Sequence, residues 1–399
     1  MTAGLTGLTG LTWDHPRGYA PLDRLGELDA AGGNPYGTVA RPLRWDRQPL
    51  EGFESAPIDE LAARYDILVV DHPGLGHALA TGALRPVDEL FGTEELAAWR
   101  AASIGPSFAS YDYAGHQWAL PLDAATQVTA CRPDLMNAAP PPTTWPDVRT
   151  LSEHLPILLC LGGPHALLML LAMCVSAGAE PGAAPGTDGF LDVDAACAAI
   201  DLLAEVHARA VARSSALAGL AGANPIGVLE AMAAAAPDAP EAVACSPLLY
   251  GYVTYSATGP RHRVTFHDAP AWAPGGRPVG VLGGTGLAVS RRVTDTAAVR
   301  EHLARLMSPR VQTGLIPAVG GQPSARAAWE SAEVNARYAD FYRNTARTLD
   351  GSWVRPRGPG WIGFQQKASA VVRAGVMDRR PPRAVVAEVN DLFRTEVPA

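Results

Sequence analysis

The chain has 399 residues, 48% hydrophobic and 18% charged, the balance of a globular protein with a sizeable core, which excludes a mostly disordered polymer. The length suggests two domains, and the net charge of −8 argues against broad attraction to nucleic acid or anionic membrane. Lys367 is the only lysine among 32 basic residues, and it lies in a helical pattern, GFQQKASAVVRAG, that suits neither a phosphate loop nor a Schiff base.

Short apolar runs alternate with helical periodicity along the chain, the signature of an α/β protein. Strands are expected at Leu5–Trp13, Leu43–Arg47, Ile67–Asp71, Trp118–Leu122, Gln127–Cys131, Leu155–Leu161, Ala242–Leu248, Arg263–Phe266 and Gly286–Ser290. Helices are expected at Leu22–Ala30, Ile58–Arg64, Glu94–Ala101, Ala166–Ala177, Ala195–Arg209, Pro225–Ala235 and Thr296–Leu306. Further helices come at Ala325–Ala332, Val334–Leu349, Phe364–Gly375 and Ala384–Phe393. Pro140-Pro141-Pro142 before Thr143-Thr144 marks a turn and a helix start, and Gly178–Gly189 reads as a surface loop.

Cys131, Cys160, Cys174, Cys197 and Cys245 are an odd, widely spaced set without a C-x-x-C pair, so neither a disulfide framework nor a zinc ribbon is expected. The longest apolar run, Ala166 to Val175, is too short to span a bilayer. Nothing before Leu5 resembles a secretory leader, so the expected location is cytoplasmic with reduced cysteines, or extracellular or periplasmic if a signal peptide has been removed.

Familiar catalytic motifs are missing from the sequence. Gly74-x-Gly76 lacks the third glycine of a dinucleotide fingerprint, and Gly283-Gly284-Thr285-Gly286 precedes a strand where phosphate binding would need a helix. One tripeptide occurs twice: Asp14-His15-Pro16 and Asp71-His72-Pro73 each come directly after an apolar strand. In open α/β sheets ligands bind beyond the carboxyl ends of strands. Both turns are therefore candidate ligand loops, with an Asx-turn cap at Asp14 and Asp71 as the competing reading. Asp and His also suit zinc or iron, but the spacing demands no metal, and none is assigned.

The order of segments resembles the extracellular solute-binding proteins of bacterial ABC importers, in their maltose-binding-like, carbohydrate-type branch. LTGLTWDHPRGY is similar to the first strand and ligand loop of that family, and YDILVVDHPGLGHALATGALRPVDEL to its second recognition segment. YAGHQWALPLDAATQVTACRPDL with PPPTTWPDV resembles the strand that crosses between lobes and the helix start after it. LPILLCLGGPHALLMLLAMCVSAGA is similar to a second-lobe strand, loop and long helix. GGTGLAVS and LMSPRVQTGLIPAVGGQPSARAAW resemble the return strand and the helix before the last crossing. The resemblance implies a two-lobed periplasmic-binding-protein fold (type II, maltose-binding-like) with hinge strands and an interlobe cleft that closes on its ligand. Lobe one is then 1–124 with 263–313, lobe two 128–256 with 317–399, and the crossings 124–128, 256–263 and 313–317.

The resemblance also implies ligand-binding roles. Arg17 matches the basic residue of the first ligand loop. Tyr250, Tyr252 and Trp361 fall where carbohydrate binders place stacking aromatics, and His165 falls in the second-lobe loop. Trp13, Asp14, His15, Asp71, His72, Asp123 and Gln127 complete the expected ligand-binding set. The chain departs from maltose-type members at Pro73 and Gly74, in place of an acidic–basic pair, and at Ala125, in place of a hinge glutamate. The leading expectation is a monomeric binding protein for a small polar, sugar-like solute, with an ABC permease as partner if exported. It has no cofactor, no nucleic-acid partner and no membrane insertion. The alternative is a cytoplasmic enzyme on the same fold, with His15, His72 and Asp123 as acid–base groups acting on a small polar metabolite.

Overall fold

The computed structural model describes residues 7–49, 57–182, 189–259 and 261–397. The start of the expected first strand, the middle of the loop 178–189 and Pro260 in the expected second crossing lie outside them. The strands are β1 (Leu8–Trp13), β2 (Leu43–Gln48), β3 (Ile67–Val70), β4 (Leu84–Arg85), β5 (Asp112–Tyr113), β6 (His116–Gln117), β7 (Ala119–Cys131), β8 (Cys245–Tyr250), β9 (Thr265–His267) and β10 (Leu282–Ser290). Among the described residues no helix is long and apolar enough to cross a membrane.

The chain divides into two compact units. Unit 1 comprises Met1–Ala124, Gly283–Val334 and Arg355–Pro359; unit 2 comprises Ala125–Leu282, Asn335–Val354 and Gly360–Ala399. The division at 124/125 falls inside the first expected crossing. The next two fall at 282/283 and 334/335, downstream of the expected 256–263 and 313–317. Residues 263–282 thus belong to unit 2 and 317–334 to unit 1. The short excursion Arg355–Pro359 into unit 1 has no counterpart among the expected boundaries.

In unit 1, β1 lies parallel to β2 on one side and to β3 on the other, and β10 runs antiparallel to β3 and β4. All four residues of β3 are buried, as expected of a strand covered on both faces. Its core gathers Leu11, Leu68, Val70, Leu75, Tyr111 and Ala288. Gly286 of β10 permits a close approach, since a Cβ there would come within 2.6 Å of the Tyr111 ring.

In unit 2, β7 pairs antiparallel with both β8 and β9. The two expected strands at 118–122 and 127–131 are one continuous strand, with every residue of β7 buried. Leu155–Leu161 makes only an isolated bridge, Ile157 to Cys245. The helix His165–Ser176 is apolar all round and buried except at its last residue, the behaviour of a helix enclosed by its own core. Helices Val193–Arg213, Trp361–Met377 and Pro382–Glu396 contribute to that core. The expected helix Val334–Leu349 is broken: Ala339 and Asp340 take positive φ between Ala332–Arg337 and Phe341–Asp350.

Candidate functional site

In unit 1 the first DHP turn begins where β1 ends. His15 is extended (φ −145°, ψ 143°) and Pro16 opens the helix Pro16–Ala31, an arrangement proline favours on both sides. The cap comes from His15, not from Asp14: His15 Nδ1 accepts the Arg17 N–H at 3.1 Å. Its ring stacks on Trp13 with centroids 5.2 Å apart. Gly18 lies against the Trp13 indole so closely that a Cβ would meet it at 2.3 Å. Asp14 is exposed, with Arg47 3.6 Å away. Arg17 reaches Asp123 on β7 through two hydrogen bonds, Nε to Oδ2 at 2.9 Å and Nη2 to Oδ1 at 2.5 Å, both side chains being buried. This fork geometry is the strongest form of arginine–carboxylate pairing.

The second DHP turn comes after β3 and is built differently. Asp71 is the extended residue and caps nothing with its side chain. His72, despite preceding a proline, starts the 3-10 turn His72–Gly74. Asp71 Oδ2 accepts a 2.6 Å hydrogen bond from Arg355. His72 is fully buried, with Nδ1 3.1 Å from Asp71 Oδ1. Nδ1 faces that carboxylate, and Nε2 has no hydrogen-bond partner within the protein. Only 5% of the Arg355 side chain is exposed. Its segment presses on the helix Leu75–Ala80, where a Cβ on Gly76 would come within 2.1 Å of the Arg357 carbonyl.

The electrostatics result from this packing. Burial opposes ionisation of Asp71, but Arg355 and His72 outweigh it and bring its pKa down to about 2. Burial, assisted by Arg355 and Arg357, outweighs the attraction of Asp71 and brings His72 down to about 4. His72 is therefore neutral at pH 7. Tyr111 donates to the Val70 carbonyl at 3.1 Å and meets the His72 ring edge-on. Burial first, then Asp71 and Asp123, push its phenol well above the ordinary value. Tyr111 thus feels both carboxylates. Its relevance was not legible in the sequence, where it is one tyrosine in a loop.

In unit 2 the expected residues have mixed fates. Gln127 is buried with both ends of its amide committed: Nε2 donates to the Leu248 carbonyl and Oε1 accepts the Val281 N–H. Trp361 is fully buried against Phe190, Trp353 and Phe364, so its faces pack on protein and are not open to a sugar. Tyr252 is buried at 6% exposure. His165 starts its helix after Pro164 and meets Tyr250 edge-on at 5.7 Å. Tyr250 keeps partial exposure, and its hydroxyl approaches the Leu282 carbonyl at 3.5 Å. Among the described residues no group of three or more His, Cys, Asp or Glu is placed to hold a metal ion.

Neither a family model nor a curated protein sequence matches the chain. Solved structures do, over nearly the full length. An ABC-transporter solute-binding protein from Agrobacterium radiobacter K84, in complex with ribitol, has TM-score 0.75 and 17% identity, covering 97% of both chains. Maltose-bound MalE3 of T. maritima has TM-score 0.76 and 15% identity, covering 98% of this chain and 99% of its own. The GacH receptor of Streptomyces glaucescens GLA.O, solved unliganded and with acarbose, has TM-score 0.72 and 15% identity, with 98% and 99% covered. The fold is therefore the maltose-binding-like fold of ABC-transporter solute-binding proteins.

Proposed function

We propose that this chain is a solute-binding protein for a small, uncharged, polyhydroxylated ligand such as a polyol or a short sugar. The observation that carries the reading is the near-complete structural likeness to proteins solved with ribitol, maltose and acarbose. The chemistry of unit 1 supports it. Asp123 is balanced by Arg17 and Asp71 by Arg355, so the group offers hydrogen-bonding capacity without net charge. His72, neutral and fully buried, backs the Asp71 side of this group and leaves ligand contact to other residues. In unit 2, Tyr250 and His165 are the expected contacts that keep this role. Gln127 and Trp361 are assigned to the framework. The partner consistent with this reading is an ABC permease.

The acid–base alternative draws no specific support. His15 commits Nδ1 to a helix cap, Asp123 is forked by Arg17, and His72 is neutral well below pH 7. The test is calorimetric titration with polyols, monosaccharides and maltooligosaccharides, beside native mass spectrometry of ligand retained on purification. Saturable binding of at least one neutral polyhydroxylated solute is expected, weakened in Tyr250→Ala. Retention of a charged or apolar ligand, with no response to the panel, overturns the reading. Conversion of a bound solute on incubation would revive the enzyme.

A further inference from the structure

Cys131 closes β7 and Cys245 opens β8, and the antiparallel register places them directly opposite each other. The hydrogen bonds around them identify the kind of pair. Arg132 N–H donates to the Ala244 carbonyl at 2.9 Å, flanking the pair, while the Cys245 carbonyl faces away and accepts Leu158 N–H at 2.9 Å. The Cys131 carbonyl likewise faces away, accepting the Thr265 hydroxyl on the β9 side. The two cysteines therefore occupy a non-hydrogen-bonded position, where opposed Cα atoms approach to about 4.5 Å and side chains share one face. A disulfide needs Cα atoms roughly 4.4–6.8 Å apart. No other pair among the five cysteines is opposed across strands in the described sheets.

We infer that Cys131 and Cys245 are a cross-strand disulfide site, oxidised when the chain folds in an oxidising medium. The structure holds both as thiols. The Cys245 thiol is pushed well above its ordinary value, first by contact with Cys131 and then by burial, which suppresses the reactive thiolate once folding is complete. The bond therefore forms on the way to the native state. One thiolate attacks a low-molecular-weight disulfide such as oxidised glutathione, releasing one glutathione thiolate and leaving a mixed disulfide. The second protein thiolate attacks the protein sulfur of that mixed disulfide and releases the other glutathione. Two protein thiols lose two electrons and two protons; one glutathione disulfide becomes two thiols. The product fastens β8, which ends at Tyr250, to the strand that carries the chain from unit 1 into unit 2.

The test refolds the reduced, full-length wild-type chain in a glutathione redox buffer, blocks free thiols with an alkylating reagent in denaturant, and maps peptides without reductant. The expected result is one cross-linked peptide joining Cys131 to Cys245, with Cys160, Cys174 and Cys197 alkylated. The oxidised form should melt at a higher temperature than the same sample with reductant. The Cys131→Ala variant, which serves only as a control, should show neither cross-link nor reductant-dependent melting. Five alkylated cysteines after oxidative refolding, or a disulfide joining any other pair, overturns the inference. So does a 131–245 cross-link that leaves melting unchanged or lowers it.

Discussion

Asp14-His15-Pro16 and Asp71-His72-Pro73 share three residues and stand at the ends of β1 and β3, parallel neighbours in one sheet, yet the same letters do opposite work. In the first turn the aspartate is exposed and the histidine is a helix cap. In the second the aspartate forms an ion pair with buried Arg355, and the histidine is enclosed and neutral. The element after each proline explains part of the difference. Pro16 opens a sixteen-residue helix whose first turn needs an acceptor, whereas Pro73 sits within a single 3-10 turn. The rest comes from outside the tripeptide, because only the second turn is met by an arginine from the far end of the chain. A local motif sets the turn; the distant partner sets the chemistry.

Removing that partner is the strongest way to break the contrast. Arg355→Ala leaves the Asp71 carboxylate uncompensated beside buried His72 and is expected to cost about 3–5 kcal/mol of stability, read by denaturant unfolding. A loss below about 1 kcal/mol would place Asp71 with Asp14, as a solvated group.

Protonation sharpens the comparison next. His72 titrates near 4 in the folded chain against 6.5 ordinarily, so the unfolded chain binds more protons between those values. Its stability contribution is complete above pH 6.5 and falls as the pH drops towards 4, by about 3 kcal/mol at 1.36 kcal/mol per unit. Asp71, depressed to about 2, loses its own contribution in a separate window, as pH falls from about 3.8 towards 2. Burial holds His207, His267 and His302 low as well, so the readout is the difference between wild type and His72→Gln. That difference should slope between pH 6.5 and 4; a flat line there means His72 is hydrated.

The first turn predicts smaller effects. His15→Ala removes a cap and a stacked ring and should cost about 1–2 kcal/mol, whereas His15→Asn, which keeps a capping acceptor, should recover part of it. If Asn recovers nothing, stacking on Trp13 accounts for the loss. Asp14→Ala should change stability by no more than about 0.5 kcal/mol. A larger effect in thermal melts would mean that the Arg47 contact matters more than its exposure suggests.

The order of strands and helices was legible because hydrophobic periodicity is a local property. β1, β3 and the buried helix after His165 could be read within a few residues. Helix starts were less legible: the first begins at Pro16 rather than Leu22, because a histidine does the capping that sequence patterns assign to aspartate. The break at Ala339 and Asp340 was hidden for a similar reason, since neither residue announces a positive φ. At the candidate site, Asp71 and His72 were legible as polar residues after an apolar strand, Asp123 as a carboxylate beside the expected crossing, and Arg17 from the family resemblance. Their pairing was not, because Arg17 and Asp123 are 106 positions apart and Asp71 and Arg355 are 284 apart. Trp361 was read as a ligand contact from family position and Gln127 from its place beside the expected crossing, and only packing reveals that both are already occupied by protein.

That interval of 284 residues has a consequence for biosynthesis. Asp71 and His72 emerge from the ribosome long before Arg355 is translated, so the nascent chain must carry a carboxylate without its guanidinium through most of elongation. Unit 1 cannot be completed in the order in which it is made. Its last five residues arrive after most of unit 2, and a protein truncated before Arg355 would hold every strand of that unit's sheet while lacking the charge that settles it. Arrested chains of increasing length should therefore show protease resistance of the 57–85 region rising late, in step with release of the segment 355–359.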